Sequence, residues 1–283
     1  MCRLFDWLEA RWEAPRTRRA LGALLVTLFV AVLVVIEVRR RGWLPAALRD
    51  DVPTNHLAAV SAIFGLLLVF EVAGLVFALA RSVSDSLGKQ FELLALILIR
   101  EAFMQFGHAG EPIVWSGIAG TVPHALADMA GALIVFALLV PYYRVQRHRA
   151  ITAHGGEQAS FVCAKKVVSV FLLGTFIALG VSWLIRRATG EAPGMFFPTF
   201  YTVLVLSDVL IVLISLRHAT TFHVVFRNAA FAAATILIRL ALSAPPYVSV
   251  AVSTGAVLFA LVTSMVYNAW RDPGAPPTPV RIE

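Results

Sequence analysis

The tetrapeptide Ile-Leu-Ile-Arg occurs twice in this chain, at Ile97–Arg100 and again at Ile236–Arg239. Both copies lie inside apolar stretches that can cross a bilayer, which takes about 20 residues of helix. Before each copy comes an apolar segment with one acid near its middle, and after it comes a segment with a Gly-Ala pair and a terminal Tyr. The sequence therefore predicts two copies of one structural unit. The recurring residues are Glu71 and Asp208, then Gly131-Ala132 and Gly255-Ala256, then Tyr143 and Tyr267.

The composition indicates a multi-pass membrane protein. Of 283 residues, 59% are hydrophobic and 14% are charged, which leaves too little polar surface to cover a soluble protein of this size. The net charge of +7 comes from basic residues at the ends of apolar segments, where they meet lipid headgroups, so we expect no nucleic-acid binding. Cys2 and Cys163 are far apart and predict neither a disulfide framework nor a zinc motif.

Eight segments are long and apolar enough to form transmembrane helices. Ends and loops on one side hold 16 of the 24 Lys and Arg residues, so both termini are expected in the cytoplasm. Four spans per half give the two halves the same orientation. The predicted fold is an all-α polytopic membrane protein with eight transmembrane helices, arranged as two parallel four-helix repeats. The predicted spans are 20–38, 56–80, 89–107, 122–143, 166–185, 197–216, 227–243 and 246–269.

The spans divide the chain into five regions. A high ratio of Arg to Lys, 21 to 3, is compatible with a GC-rich bacterial genome, and we expect a bacterial plasma (inner) membrane. Near the N-terminus Leu4, Phe5, Leu8 and Trp12 fall on one side of a helix, which predicts an amphipathic segment at the membrane surface. The regions are a cytoplasmic amphipathic segment (1–19), a first four-span repeat (20–143), a cytoplasmic linker (144–165), a second four-span repeat (166–270) and a cytoplasmic tail (271–283).

Charged residues inside spans are the candidate functional residues. A charge at the bilayer centre costs about 2.5–3.5 kcal/mol on insertion scales, so such residues normally face protein or water. Glu71 and Asp208 occupy nearly equivalent positions in the two halves, and they either bind protons or cations or only secure neighbouring helices. The candidates for an ion or substrate path are Glu71, Arg100, Glu101, Asp128, Asp208 and Arg239.

Two polar stripes are predicted to face each other near the outer surface. They consist of Glu101, Gln105 and His108 on the third span and Thr121, His124 and Asp128 on the fourth. The stripes either satisfy Arg100 and Arg239 structurally or form a polar vestibule for an ion or solute. The side chains of His108, His124, Glu101 and Asp128 are suitable metal ligands, but no ligand spacing supports a metal site, and whether they bind a metal stays open. No cofactor is predicted.

No catalytic signature is present, whether a phosphate-binding glycine loop, an H-E-x-x-H motif or a nucleophile elbow. A non-enzymatic protein is therefore favoured, and an intramembrane enzyme that uses the His and acid residues of the polar stripes for acid–base work stays open as an alternative. The leading hypothesis is a small integral membrane transporter or channel-like protein that moves an ion or small solute along a path at the repeat interface. The alternative is a non-enzymatic accessory or scaffold subunit of a larger membrane complex. The expected partners are the lipid bilayer and, in the alternative, another membrane protein or a second copy of this chain.

Overall fold

The computed structural model describes residues 2–45, 52–107, 114–146, 155–189 and 222–270, with isolated helical positions at 199, 202–203, 206–207, 210 and 213. Across these residues the chain forms helices and turns and contains no strand. The helices are α1 (Cys2–Glu13), α2 (Pro15–Arg40), α3 (Leu57–Arg81), α4 (Val83–Gly107), α5 (Trp115–Ile118), α6 (Val122–Val145), α7 (Gly155–Ala188), α8 (Phe222–Ser243) and α9 (Pro246–Ala269).

Six helices in the described part of the chain are long and apolar enough to cross a membrane, namely α2, α3, α6, α7, α8 and α9. The protein is thus an all-α, multi-pass membrane protein. Helix α4 covers the predicted third span, but its five charged side chains make it less apolar than the other six. Most of the predicted sixth span, 197–216, lies outside the described residues.

Two helices begin earlier than predicted. We expected a turn up to Lys89, yet α4 begins at Val83, directly after Ser82. The side chain of Ser82 accepts a hydrogen bond from the Ser84 amide at 3.2 Å, as an N-cap does, and so starts a helix whose first turns are polar. Helix α7 likewise begins at Gly155, inside the predicted linker. Both differences have one cause, because hydropathy locates the apolar part of a helix and not its polar ends.

Helices α4, α6, α8 and α9 form a closed four-helix ring, in which α4 contacts α6 and α8, and α9 contacts both α6 and α8. Apolar and small side chains fill this ring, including Leu94, Leu98, Ala132, Ala234, Ala256 and Ala260. Small residues let membrane helices approach closely, and a methyl group added at Gly131 would collide with the side chain of Val250. The described parts of the two halves therefore meet across a packed interface.

Helices α3 and α7 form a second layer against the ring. Helix α3 packs on α4, and α7 packs on α3, through a cluster that includes Leu75, Leu93 and Leu172. Helix α1 docks beside them, with Phe5 buried against Phe77 of α3 and Asp6 accepting a 2.5 Å hydrogen bond from Lys166 of α7. We call this end of the bundle the α1 end.

Cysteine 163, in the early part of α7, is disulfide-bonded, and no cysteine is free among the described residues. The sequence predicted no disulfide framework, because spacing along a chain does not show which segments come together. The fold brings α1 into contact with α7, which the spacing of the two cysteines along the chain does not indicate.

Candidate functional site

Four polar side chains from three helices form a continuous chain of hydrogen bonds. Lys89 Nζ on α4 donates to Glu92 Oε2 on the same helix at 2.5 Å and to Glu71 Oε2 on α3 at 3.3 Å. The hydroxyl of Tyr143, close to the end of α6, donates to Glu92 Oε1 at 2.6 Å. The ammonium of Lys89 therefore lies between two carboxylates, and the chain links α3, α4 and α6.

The short connection at Ser82 explains why Glu71 and Lys89 meet. Glu71 lies 11 residues before Ser82 and Lys89 lies 7 after it, so the two α-carbons are about 16 and 10 Å from the connection at a rise of about 1.5 Å per residue. Their long side chains cover the remaining difference in depth. On α4, Lys89 and Glu92 are three residues apart and so share one helix face.

Two contacts bring Tyr143 to this site. The preceding residue, Tyr142, is fully buried and donates a 2.9 Å hydrogen bond to the carbonyl oxygen of Ser84, which fixes the end of α6 against the start of α4. Gly88 then makes room for the next ring, since a methyl group at Gly88 would lie 2.7 Å from Tyr143 Cε1. The glycine is therefore needed where α6 approaches the site.

These side chains line a cleft of about 710 Å³ at the α1 end, with walls from α1, α2, α3, α4 and the end of α6. Four acidic side chains, Glu13, Glu71, Asp85 and Glu92, outnumber two basic ones, Arg18 and Lys89, so the lining carries net negative charge. Its aromatic side chains are Trp12, Phe70, Phe77 and Tyr143. The side chain of Lys89 is 34% exposed and those of Glu71 and Glu92 are each 33% exposed, so a solute in the cleft can reach all three.

Lys89 and Glu92 are not among the site residues predicted from the sequence, although a signal for them exists. Asp85, Lys89 and Glu92 recur at i, i+4 and i+7, which is the same spacing that singled out the polar stripe on the third span. Hydropathy alone predicts that Lys89 lies at the end of a span, where it would contact lipid headgroups. Because α4 begins at Val83, Lys89 instead lies almost two turns inside the helix.

The two predicted polar stripes come together in part at the opposite end of α4. Arg100 Nη1 donates to the neighbouring Glu101 Oε1 at 3.0 Å. Asp128 on α6 is only 2% exposed, and it interacts electrostatically with Glu101 and with His124. Within the described residues, Asp128 Oδ2 and Arg100 Nε are buried without a hydrogen-bond partner.

The other predicted site residues have different surroundings. The ring of His124 packs on Tyr247 of α9, with 5.3 Å between ring centroids. Gln105 is half-buried near the end of α4, and Arg239 is half-buried on α8. Asp208 and His108 lie outside the described residues. No group of three His, Cys, Asp or Glu side chains in the described ranges could hold a metal ion.

Comparisons with protein-family models, with curated proteins and with solved structures find no match for this chain. Fold and site together define its class as an all-α multi-pass membrane protein with a charged cleft among its helices.

Proposed function

We propose that this protein is a small integral membrane transporter or channel-like protein that moves an ion or small solute, and that the cleft is part of its path. One observation carries the proposal: the ammonium of Lys89 is shared by Glu71 and Glu92 in a cleft of about 710 Å³. Charged side chains between membrane helices are costly and typically mark ion or substrate pathways. Two carboxylates that share one ammonium can accept a cation or a proton when that ammonium moves away.

The position of the path follows from the packing. The sequence predicts a path at the interface between the two halves, but apolar side chains pack most of the described part of that interface, with small buried hydroxyl groups such as that of Ser253 among them. We therefore assign the described part of the path to the cleft. From Glu92, helix α4 continues eight residues, about 12 Å, to Arg100 and Glu101 beside buried Asp128. The path would thus follow α4, with the contribution of Asp208 retained as a prediction.

We also propose that the protein has eight spans in two parallel repeats. Two contacts support this organisation. Gly88 lies against the ring of Tyr143, and Arg227 lies over the ring of Tyr267, with Cζ 4.3 Å from the ring centroid. Gly88 and Arg227 each precede the Arg of the repeated Ile-Leu-Ile-Arg by 12 residues, and each tyrosine follows the Gly of its Gly-Ala pair by 12 residues. Positions that match in sequence therefore make matching contacts.

The proposed location is the bacterial inner membrane, with the α1 end in the cytoplasm. The charge asymmetry of the sequence supports this orientation. The basic cluster Arg39–Arg41 is the main exception on the opposite side, and there Arg41 Nε donates to Glu37 at 2.9 Å, which reduces the local excess of positive charge. The disulfide of Cys163, near the α1 end, favours the opposite orientation, because cytoplasmic thiols are normally kept reduced, and cysteine labelling decides between the two.

An accessory or scaffold role is the second candidate function. Among the described residues, helix α2 leaves most of its surface uncovered by the other helices, and so does the apolar part of α7. Lipid or the transmembrane helices of a partner would cover these faces. In this case the cleft charges would serve only to hold α3, α4 and α6 together.

Flux in proteoliposomes separates the two candidates. The test compares wild type with Glu71→Gln, which keeps size and hydrogen-bonding capacity, at equal amounts of folded protein and with H⁺, Na⁺, K⁺ and small organic solutes. The matched control is Glu37→Gln, because Glu37 also pairs with a basic side chain but does not line the cleft. We expect flux from wild type and from Glu37→Gln, and a loss of at least fivefold for Glu71→Gln. Wild-type flux equal to that of empty vesicles would favour the accessory role.

A further inference from the structure

We infer that the cleft binds an organic ammonium compound, a protonated amine with an apolar or aromatic body, which takes the place of the Lys89 ammonium between Glu71 and Glu92. This inference rests on the proposed function and names the substrate class of the same site. Three features of the cleft carry it: an ammonium already held there, aromatic walls, and a matching size.

The first feature is Lys89 itself. Its side chain is a primary alkylammonium, and the cleft holds it with two carboxylates, at 2.5 Å from Glu92 and 3.3 Å from Glu71. An ammonium group has three donors, and carboxylates of this arrangement accept them with charge-assisted hydrogen bonds. The geometry that suits the Lys89 head group suits the head group of any primary amine. Lys89 would then act as a tethered competitor for the ligand.

The second feature is the aromatic part of the lining. Trp12 and Phe77 are in contact, with ring centroids 5.8 Å apart, and Phe70 and Tyr143 line the same cleft. Aromatic faces attract organic cations electrostatically and also bury apolar groups. Carboxylates recognise the charge of an organic ammonium, and the aromatic walls recognise its body.

The third feature is the size of the cleft. Its volume of about 710 Å³ lies within the range of about 300–1,000 Å³ that is usual for small-molecule sites. The cleft is thus larger than a single bare ion needs. Its net negative lining, four acidic side chains against two basic ones, favours a cation over an anion or a neutral solute.

Competition with Lys89 gives this inference a distinctive consequence. Replacing Lys89 by the uncharged Lys89→Met variant frees both carboxylates, so the affinity for an organic ammonium should increase, by about tenfold or more. If Lys89 only supported the structure, the same change would leave the affinity unchanged or lower it. Glu92→Gln should act in the opposite direction and weaken binding about tenfold or more, since a hydrogen bond to a charged group is lost.

Calorimetry on the full-length protein in lipid nanodiscs tests the inference. The probes are 2-phenylethylammonium chloride, the neutral analogue 2-phenylethanol, and NaCl at constant ionic strength, with empty nanodiscs to subtract partitioning into lipid. We expect the ammonium to bind at least tenfold more tightly than the alcohol, Lys89→Met to tighten its binding, Glu92→Gln to weaken it, and Glu37→Gln to have no effect. If Lys89→Met does not fold, Tyr143→Phe is the second test, because it removes another donor to Glu92 and should also tighten binding of the ammonium, by a smaller factor.

The outcomes separate this inference from the proposed function. Equal binding of the ammonium and the alcohol, or no binding of the ammonium, overturns the inference, even when Na⁺ or H⁺ flux depends on Glu71. Selective binding of the ammonium that Glu92→Gln weakens and Lys89→Met tightens supports the inference, and an affinity that Lys89→Met leaves unchanged or lowers overturns the displacement of Lys89. If such binding occurs without flux of any solute, the site stands and the transport function is the part that fails.

Discussion

Lys89 on α4 donates a hydrogen bond to Glu71 on α3, with 3.3 Å between Nζ and Oε2. The two residues hold the α3–α4 hairpin together where it lines the cleft. Because both side chains are about one-third exposed, solvent moderates the strength of this pair. The attraction between the two side chains is thus strong enough for the pair to form without a ligand. Their exposure leaves the pair open to displacement by a ligand in the cleft.

A double-mutant cycle measures the coupling between Lys89 and Glu71. We expect Lys89→Met to lower the free energy of unfolding by about 1–2 kcal/mol, and the double variant with Glu71→Gln to cost less than the sum of the single changes, by about 0.5–1 kcal/mol. Unfolding in detergent micelles provides the measurement. The exposed pair Glu37 and Arg41 serves as the control, with expected coupling below about 0.5 kcal/mol. Strict additivity at Lys89 and Glu71 would rule out a stabilising pair.

Gly88 should tolerate no side chain. Gly88→Ala would place a methyl group 2.7 Å from Tyr143, and we expect a loss of about 1–3 kcal/mol from overpacking together with a weakened contact of Tyr143 to Glu92. Gly65→Ala is the matched control, because nothing lies within 4 Å of a methyl group at Gly65. Alanine there should be neutral or stabilise the helix by up to about 1 kcal/mol. Thermal unfolding of the two variants in the same detergent gives the comparison, and equal stability would contradict the packing described for Tyr143.

Asp128 should matter for flux more than for stability. Its Oδ2 atom is buried without a hydrogen-bond partner among the described residues, so the carboxylate contributes little to folding and carries a desolvation cost. We expect Asp128→Asn to keep or raise the unfolding temperature and to reduce flux at least fivefold. If Asp128→Asn keeps the flux of wild type but unfolds at a lower temperature, Asp128 has a structural role instead.

Orientation can be measured with single cysteines in a background without Cys2 and Cys163. A cysteine at Gly156 should react with a membrane-impermeant maleimide only after the cells are opened, and a cysteine at the exposed Gly117 should react in intact cells. The positive-inside rule gives these expectations. The reverse pattern would invert the topology. In the proposed orientation the disulfide of Cys163 should be reduced in wild-type cells, and in the inverted orientation it should persist.

Much of the fold follows from the sequence because apolar segments of membrane length are rare outside membranes. Six described helices of this kind coincide with predicted spans, and Glu71 stood out as an acid within an apolar run. The position of Glu71 inside a span could be predicted from the sequence, because a carboxyl group in an apolar segment is costly and rarely occurs there without a role.

The site itself was harder to predict, because its residues come from separate helices. Lys89 and Glu92 share a helix face with Asp85, but only the position of α3 shows that Glu71 completes the set. The cleft also depends on the position of α2 beside α3. The contact between these two helices is small, so the sequence carries no pattern that predicts it. Hydropathy placed the start of the third span at Lys89, which hid the helical turns that contain Asp85.

The central claim, that the cleft carries the flux, is tested most directly by blocking it with a covalent label. Gly74 lines the cleft on α3, and a methyl group there would make only an ordinary 3.6 Å contact with Trp12 Nε1, so Gly74→Cys should fold normally. Gly65→Cys on the same helix, outside the cleft lining, is the control. In proteoliposomes of the variants without native cysteines, a positively charged methanethiosulfonate should stop the flux through Gly74→Cys and leave the flux through Gly65→Cys intact. Complete labelling of Gly74→Cys, shown by mass, with flux unchanged would contradict the account.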